Sequence, residues 1–167
     1  EEDGLAAWRW LQDRAKEGHI DGSKIFLLGR SLGGAVATHM AAQLQTQGVK
    51  VKGIIIENGF TSIADIVDAH FPWLAWKAFK DQFLRLKWDS HGKVKELKVP
   101  ILFIAGAKDE IVPHHHMLRL SQAAGDFAEL HVVENGMHND TWLQAGPQYW
   151  AWIHGFLVKH AGHWDDK

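Results

Sequence analysis

Residues 24–40 read KIFLLGRSLGGAVATHM, and they set one serine between glycines, directly after an apolar run and directly before a run of small residues. The apolar run is short and bounded by turn signals, which predicts a buried strand, and LGGAVATHMAAQLQ after the serine predicts a helix. Gly29-Arg30-Ser31-Leu32-Gly33 is therefore a G-x-S-x-G pattern between strand and helix, the setting in which a serine is presented as a nucleophile on a sharp turn. Glycines two positions before and after Ser31 are expected because a Cβ at either place would crowd the turn. Gly34, Ala35 and Ala37 are expected to let the helix lie close to the sheet. The competing reading makes Ser31 a helix N-cap and the glycines mere turn residues. The other serines, Ser23, Ser62, Ser90 and Ser121, lack the paired glycines, and Ser62 with Asp65 reads as a helix cap.

Working outward, three more short apolar runs, residues 52–56, 99–105 and 130–133, resemble residues 24–28 in length and β-branched content. Helix-length segments separate them. Continuous rather than alternating hydrophobicity predicts an α/β domain with a mostly parallel sheet covered by helices on both faces. Ligands of such sheets bind beyond the carboxyl ends of the strands, so the loops after the four runs are where chemistry is expected. The opening residues 1–20 read as an amphipathic helix with no strand before it, and the chain starts on Glu1; an N-terminally truncated chain is expected. Residues 60–97 are too long for a simple crossover and predict a helical cap inserted into a single domain spanning 1–167. Within it Trp73, Trp76, Phe79, Phe83 and Leu86 recur at steps of three or four, the stripe of an amphipathic helix whose first turn suits Pro72.

A serine hydroxyl attacks only when a base takes its proton, and twelve histidines compete for that part. His138 lies in ENGMHNDTW, a glycine-containing loop directly after the fourth run. His39 falls on the elbow helix, His19 precedes a strand, and His154, His160 and His163 fall in or beyond the last helix, so these read as surface or core residues. The imidazole needs an acid to orient it, and Asp109, in FIAGAKDEIVP after the third run, has the right place; Glu110 is its neighbour and rival. Asp109 also reads as a turn residue. The order Ser31, Asp109, His138 is that of one known triad type. His114, His115 and His116 invite a metal, but consecutive side chains diverge, and after Pro113 they are expected to open a solvated helix; no metal and no cofactor is predicted.

Composition narrows the partners. A formal charge of −2, with 18 basic residues among 20 acidic ones, offers no footprint for nucleic acid. The absence of cysteine removes thiolate nucleophiles, thiolate metal ligands and disulfides together. No apolar run approaches the roughly 18 residues of a membrane-spanning helix.

GRSLGGAVA, PILFIAGAKDEIVP and GMHNDTW together resemble the nucleophile, acid and histidine loops of the α/β-hydrolase superfamily, over nearly the whole chain. The His-Asn-Asp-Thr-Trp string and IIIENGFTSI are similar to the branch containing alpha/beta-hydrolase domain-containing protein 13. The resemblance implies a serine hydrolase related to serine aminopeptidase-like and acyl-protein thioesterase-like enzymes, often membrane-associated through an N-terminal anchor. It also implies several strands before the elbow strand, with a His-Gly loop that supplies one oxyanion-hole N–H, and these are expected to be missing from an N-terminally truncated chain.

The function expected is cleavage of an ester, thioester or amide through an acyl-enzyme. Ser31 would be nucleophile, His138 base and Asp109 its orienting acid, with the Leu32 N–H donating to the oxyanion. An acyl esterase or protein thioesterase acting on a small-molecule or acylated-protein substrate is favoured, with Trp73, Trp76 and Phe79 lining an acyl pocket. The basic residues flanking that stripe also fit peripheral membrane contact. Two alternatives stay open. One is an aminopeptidase, with Asp65, Asp68 or Asp81 holding the substrate amine. The other is a binding module with an incomplete site.

Overall fold

Gly53-Ile54-Ile55-Ile56-Glu57 and Ile101-Leu102-Phe103-Ile104-Ala105-Gly106 are buried at every position, as expected of strands covered on both faces, and they are the two central strands of a parallel sheet. The computed structural model describes residues 2–70 and 88–162. In chain order these form α1 (Glu2–Lys16), β1 (Phe26–Arg30), α2 (Leu32–Thr46), β2 (Gly53–Glu57), α3 (Ile63–His70), α4 (Ser90–Glu96), β3 (Ile101–Gly106), α5 (His115–Ala124), β4 (Ala128–Val133), α6 (Thr141–Ala145) and α7 (Pro147–Ala161).

The strands lie side by side in sequence order, β1-β2-β3-β4, every neighbouring pair parallel. Crossovers of one hand between consecutive neighbours carry their helices to one side of a sheet. Accordingly Ile54, Ile56, Ile101 and Phe103 point into a core with Leu44 of α2, Val94 of α4 and Met117 and Leu120 of α5. Ile55, Leu102 and Ile104 point the other way, onto Tyr149, Ile153 and Phe156 of α7, which follows the last strand and is free to cross to the second face. Among the described residues, both faces are covered at the two central strands, whereas on β1 Leu28 is 60% exposed.

The four apolar runs become the four strands with small shifts. β1 runs through Gly29 to Arg30, so Ser31 is the first residue past the strand. The cap of α3 forms as read, the Ser62 hydroxyl accepting the Asp65 N–H at 3.0 Å. The expected cap insertion, residues 60–97, lies partly outside the described residues. Its last residues form α4, capped by Asp89 accepting the Gly92 N–H at 2.8 Å, and bury Val94 and Leu97 in the main core. Trp73, Trp76, Phe79 and Asp81 lie outside the described residues. Among the described residues no helix is long and apolar enough to cross a membrane.

Candidate active site

Three loops emerge together at the carboxyl edge of the sheet because register aligns the strand ends: Arg30 pairs with Glu57, Glu57 with Ile104, and Gly106 with Val133. The residues that follow these ends carry every predicted catalytic group.

Ser31 has φ 52° and ψ −121°, a left-handed backbone that a residue with a Cβ adopts only under constraint. Two backbone bonds hold it there: Ser31 N–H donates to the Glu57 carbonyl at 2.9 Å, and the Ser31 carbonyl accepts the Gly34 N–H at 3.0 Å. The hydroxyl makes no capping bond to α2, so the N-cap reading does not hold. Gly29 is explained by sterics, since a Cβ there would lie 2.1 Å from the Gly33 carbonyl oxygen. Gly33 is not, because a Cβ there would meet open space; the tight approach is carried by its backbone, and the expectation of crowding at both glycines holds only for the first. At Gly34 a Cβ would press on Ile56 at 2.9 Å, which is how α2 lies close to β2. Leu32 is the first residue of α2, where backbone N–H groups have no partner within the helix.

Asp109 and His138 meet. His138 Nδ1 lies 2.8 Å from Asp109 Oδ2, and both side chains are almost fully buried. The other carboxylate oxygen of Asp109 accepts the N–H groups of Ile111 at 2.9 Å and Val112 at 2.7 Å, so Asp109 is a turn residue and a partner of the imidazole at once. Glu110 takes a different part: its Oε2 accepts the His138 backbone N–H at 3.1 Å. Backbone N–H groups, its own and that of His138, hold the Glu110 carboxyl below its usual range. Asp140 ends the loop, accepting the Met137 N–H at 2.7 Å and the Gln144 amide at 2.9 Å; these bonds, the Gln144 one foremost, hold it low as well.

Among the buried polar groups beside the site, the sequence reading left one out and misplaced another. Glu57, at the end of β2, accepts the Tyr149 hydroxyl at 2.8 Å, and burial raises its carboxyl above the usual range while raising the Tyr149 phenol too. The one misplaced is His116. It was expected on a solvated helix, yet it is 1% exposed, with its Nδ1 2.8 Å from the Thr61 hydroxyl and its ring stacked on His115. The reason is helical geometry: at the start of α5 the three consecutive histidines diverge, and one must face β2's following loop. Thr61 in turn donates to Asp65; burial alone would raise Asp65, but hydrogen bonds from Thr61 and Ser62 and the Arg119 charge keep it low. Among the described residues no group of three or more His, Asp or Glu side chains is placed to hold a metal.

Burial, with the neighbouring His115 charge, lowers the His116 pKa to about 4 from an ordinary 6.5. The unfolded chain then binds a proton below pH 6.5 that the folded chain refuses until about pH 4. Stability is expected to fall by about 2 kcal/mol between pH 7 and pH 5 on this account. Urea unfolding of the wild type and of His116→Gln at pH 7, 6 and 5 measures it, and equal pH slopes in both proteins would reject the assignment.

A family model described as alpha/beta hydrolase fold matches residues 1–140, which include all three loops. The chain belongs to the alpha/beta hydrolase fold family. It is 40% identical over 154 residues to the alpha/beta hydrolase domain-containing protein WAV2 of Arabidopsis thaliana, covering 85% of this chain and 49% of that protein. It is 35% identical over 140 residues to the protein bem46 of Schizosaccharomyces pombe, covering 83% and 44%. The chain thus spans about half the length of these curated relatives. A sugar hydrolase of Lactococcus lactis has the same fold, with a TM-score of 0.73 at 23% identity over 96% of this chain and 69% of that one. These likenesses establish the alpha/beta hydrolase family; the narrower branch stays an expectation of the motif resemblance.

Proposed function

We propose that the chain carries the nucleophile, base and acid of a serine hydrolase that cleaves an ester or thioester through an acyl-enzyme. The observation that carries the reading is the buried 2.8 Å contact between Asp109 and His138, on the sheet edge where Ser31 is held in its left-handed turn. Asp109 fixes the imidazole with Nδ1–H toward the carboxylate, which leaves Nε2 as acceptor for the Ser31 proton. Ser31 Oγ attacks the acyl carbon, Nε2 takes the proton, and the oxyanion accepts the Leu32 N–H. Collapse expels the leaving group, protonated by His138. Water then attacks the acyl-enzyme with His138 again as base, and the acid product leaves.

The aminopeptidase alternative needs a free carboxylate for the substrate amine. The Asp65 carboxylate is already engaged by the Thr61 hydroxyl and the Arg119 guanidinium, which disfavours it for that part. The acyl chain is assigned to the Trp73, Trp76 and Phe79 stripe on sequence grounds alone. A fluorophosphonate probe tests the reading: the full-length protein is expected to label stoichiometrically and Ser31→Ala not at all. Folded wild-type protein that does not label would reject it, and faster turnover of aminoacyl anilides than of acyl thioesters would move the substrate to the peptidase alternative.

A further inference from the structure

We propose that Asn58 is the positioning residue that locks the acid loop and the histidine loop into register, so that Asp109 meets His138. The proposal rests on the reading of that pair as catalytic.

Asn58 is the first residue after β2. It has φ 47° and is 1% exposed. Asparagine is one of the few residues with a side chain that tolerates this left-handed conformation. Its backbone N–H donates to the Ile104 carbonyl at 3.0 Å, which extends the pairing with β3 past the end of the strand. Its side chain then reaches both loops. Oδ1 accepts the Gly106 N–H at 2.8 Å, three residues before Asp109. Nδ2 donates to the Thr141 hydroxyl at 2.9 Å, the His138 carbonyl at 3.1 Å and the Met137 carbonyl at 3.3 Å. Thr141 completes the knot by donating to the Met137 carbonyl at 2.7 Å.

The orientation of the amide follows from these partners. On one side stands an N–H, which needs an acceptor. On the other stand two carbonyls and a hydroxyl whose proton is already given to Met137, all of which need a donor. A flipped amide would set N–H against N–H and oxygen against oxygen. Aspartate has the shape but no N–H₂, and an aliphatic side chain would leave the Gly106 N–H and the loop carbonyls unpaired.

The two loops also touch directly, so a shift of one is passed to the other. A Cβ on Gly106 would lie 2.5 Å from the Gly136 carbonyl oxygen and 2.7 Å from Thr141 Oγ1, and the Lys108 N–H donates to that same Gly136 carbonyl at 2.9 Å. The side-chain hydrogen bonds of Asn58 go to Thr141 and to the backbones of the loops that carry the Asp109 carboxylate and the His138 ring. Asn58 acts through those backbones.

The test uses the full-length protein with a p-nitrophenyl acyl ester, kcat being referred to probe-titrated sites. Asn58→Gly tolerates the left-handed backbone and removes the side chain that carries the amide. It is expected to lower kcat by about 10- to 100-fold with KM within about threefold, because misplacement of a catalytic group by about 1 Å costs on that order. Asn58→Asp, which keeps the acceptor and loses the donors, is expected to fall at least as far. Thr141→Val, with one acceptor lost, carries the same test in a milder form, with kcat about threefold to tenfold lower, if Asn58→Gly does not fold. A lowered unfolding temperature with kcat per titrated site unchanged would make Asn58 a stabilising residue only and overturn the proposal. Failure of the underlying reading looks different: folded His138→Gln would then keep full activity, whatever Asn58 does.

Discussion

His138→Gln is expected to lower kcat for a p-nitrophenyl acyl ester by about 10⁴-fold or more, with the protein still folded. The magnitude follows from the proton transfer that is lost. Without a base the Ser31 hydroxyl must attack with its proton in place, and knocking out the histidine of a Ser-His-Asp unit costs nearly as much as removing the whole unit. Glutamine is the better replacement because its amide can still donate to Asp109 Oδ2. Alanine would leave that oxygen buried and unpaired, at a cost of about 1–3 kcal/mol that would blur activity with stability. Steady-state kinetics beside a thermal melt decide it. Full activity in a folded His138→Gln would mean that another of the twelve histidines is the base.

Asp109→Asn is expected to lower kcat by about 10⁴-fold while changing KM little. The amide keeps the shape of the carboxylate, and its oxygen can still accept the Ile111 and Val112 N–H groups that build the turn. Its N–H₂ then faces His138 Nδ1, where Oδ2 stood at 2.8 Å. That donor forces the imidazole into the tautomer with Nε2–H, which cannot accept the Ser31 proton. Glu110→Gln supplies the contrast: the Glu110 hydrogen bond to His138 is to the backbone N–H and not to the ring, so a loss within about tenfold is expected. Equal losses in the two variants would mean that the two carboxylates share the orienting role.

The Ser31 turn was legible in sequence because its causes are local. A strand, a residue forced to positive φ and a helix follow one another within residues 24–40, and Gly29 is required by a contact only four residues away. Asp109 and His138 were legible for a different reason: parallel strands in sequence order bring the loops after them to one edge, so position after a strand is already position in space. The sequence reading preferred Asp109 to Glu110, but the physical ground of that choice lies in the tertiary structure. Both follow β3 in the same turn, and only the path of the chain from Gly106 to Val112 sends one to the imidazole and the other to the backbone.

Where the reading failed, the missing information was tertiary. Gly33 has the motif's spacing but no neighbour for a Cβ. His116 lies in a polar run with every local sign of exposure, and it is buried because the loop after β2 closes over it with Thr61.

Periodicity, apolar runs and the glycine-flanked serine determined by themselves the parallel α/β architecture and the order of the three candidate residues. What only the tertiary structure decided is how those loops are held. Asn58 meets Gly106, His138 and Thr141 across 48 to 83 residues of chain. A hydrogen-bond knot of that span leaves no periodic trace in sequence, because each partner is chosen by the packing of strands rather than by its neighbours along the chain.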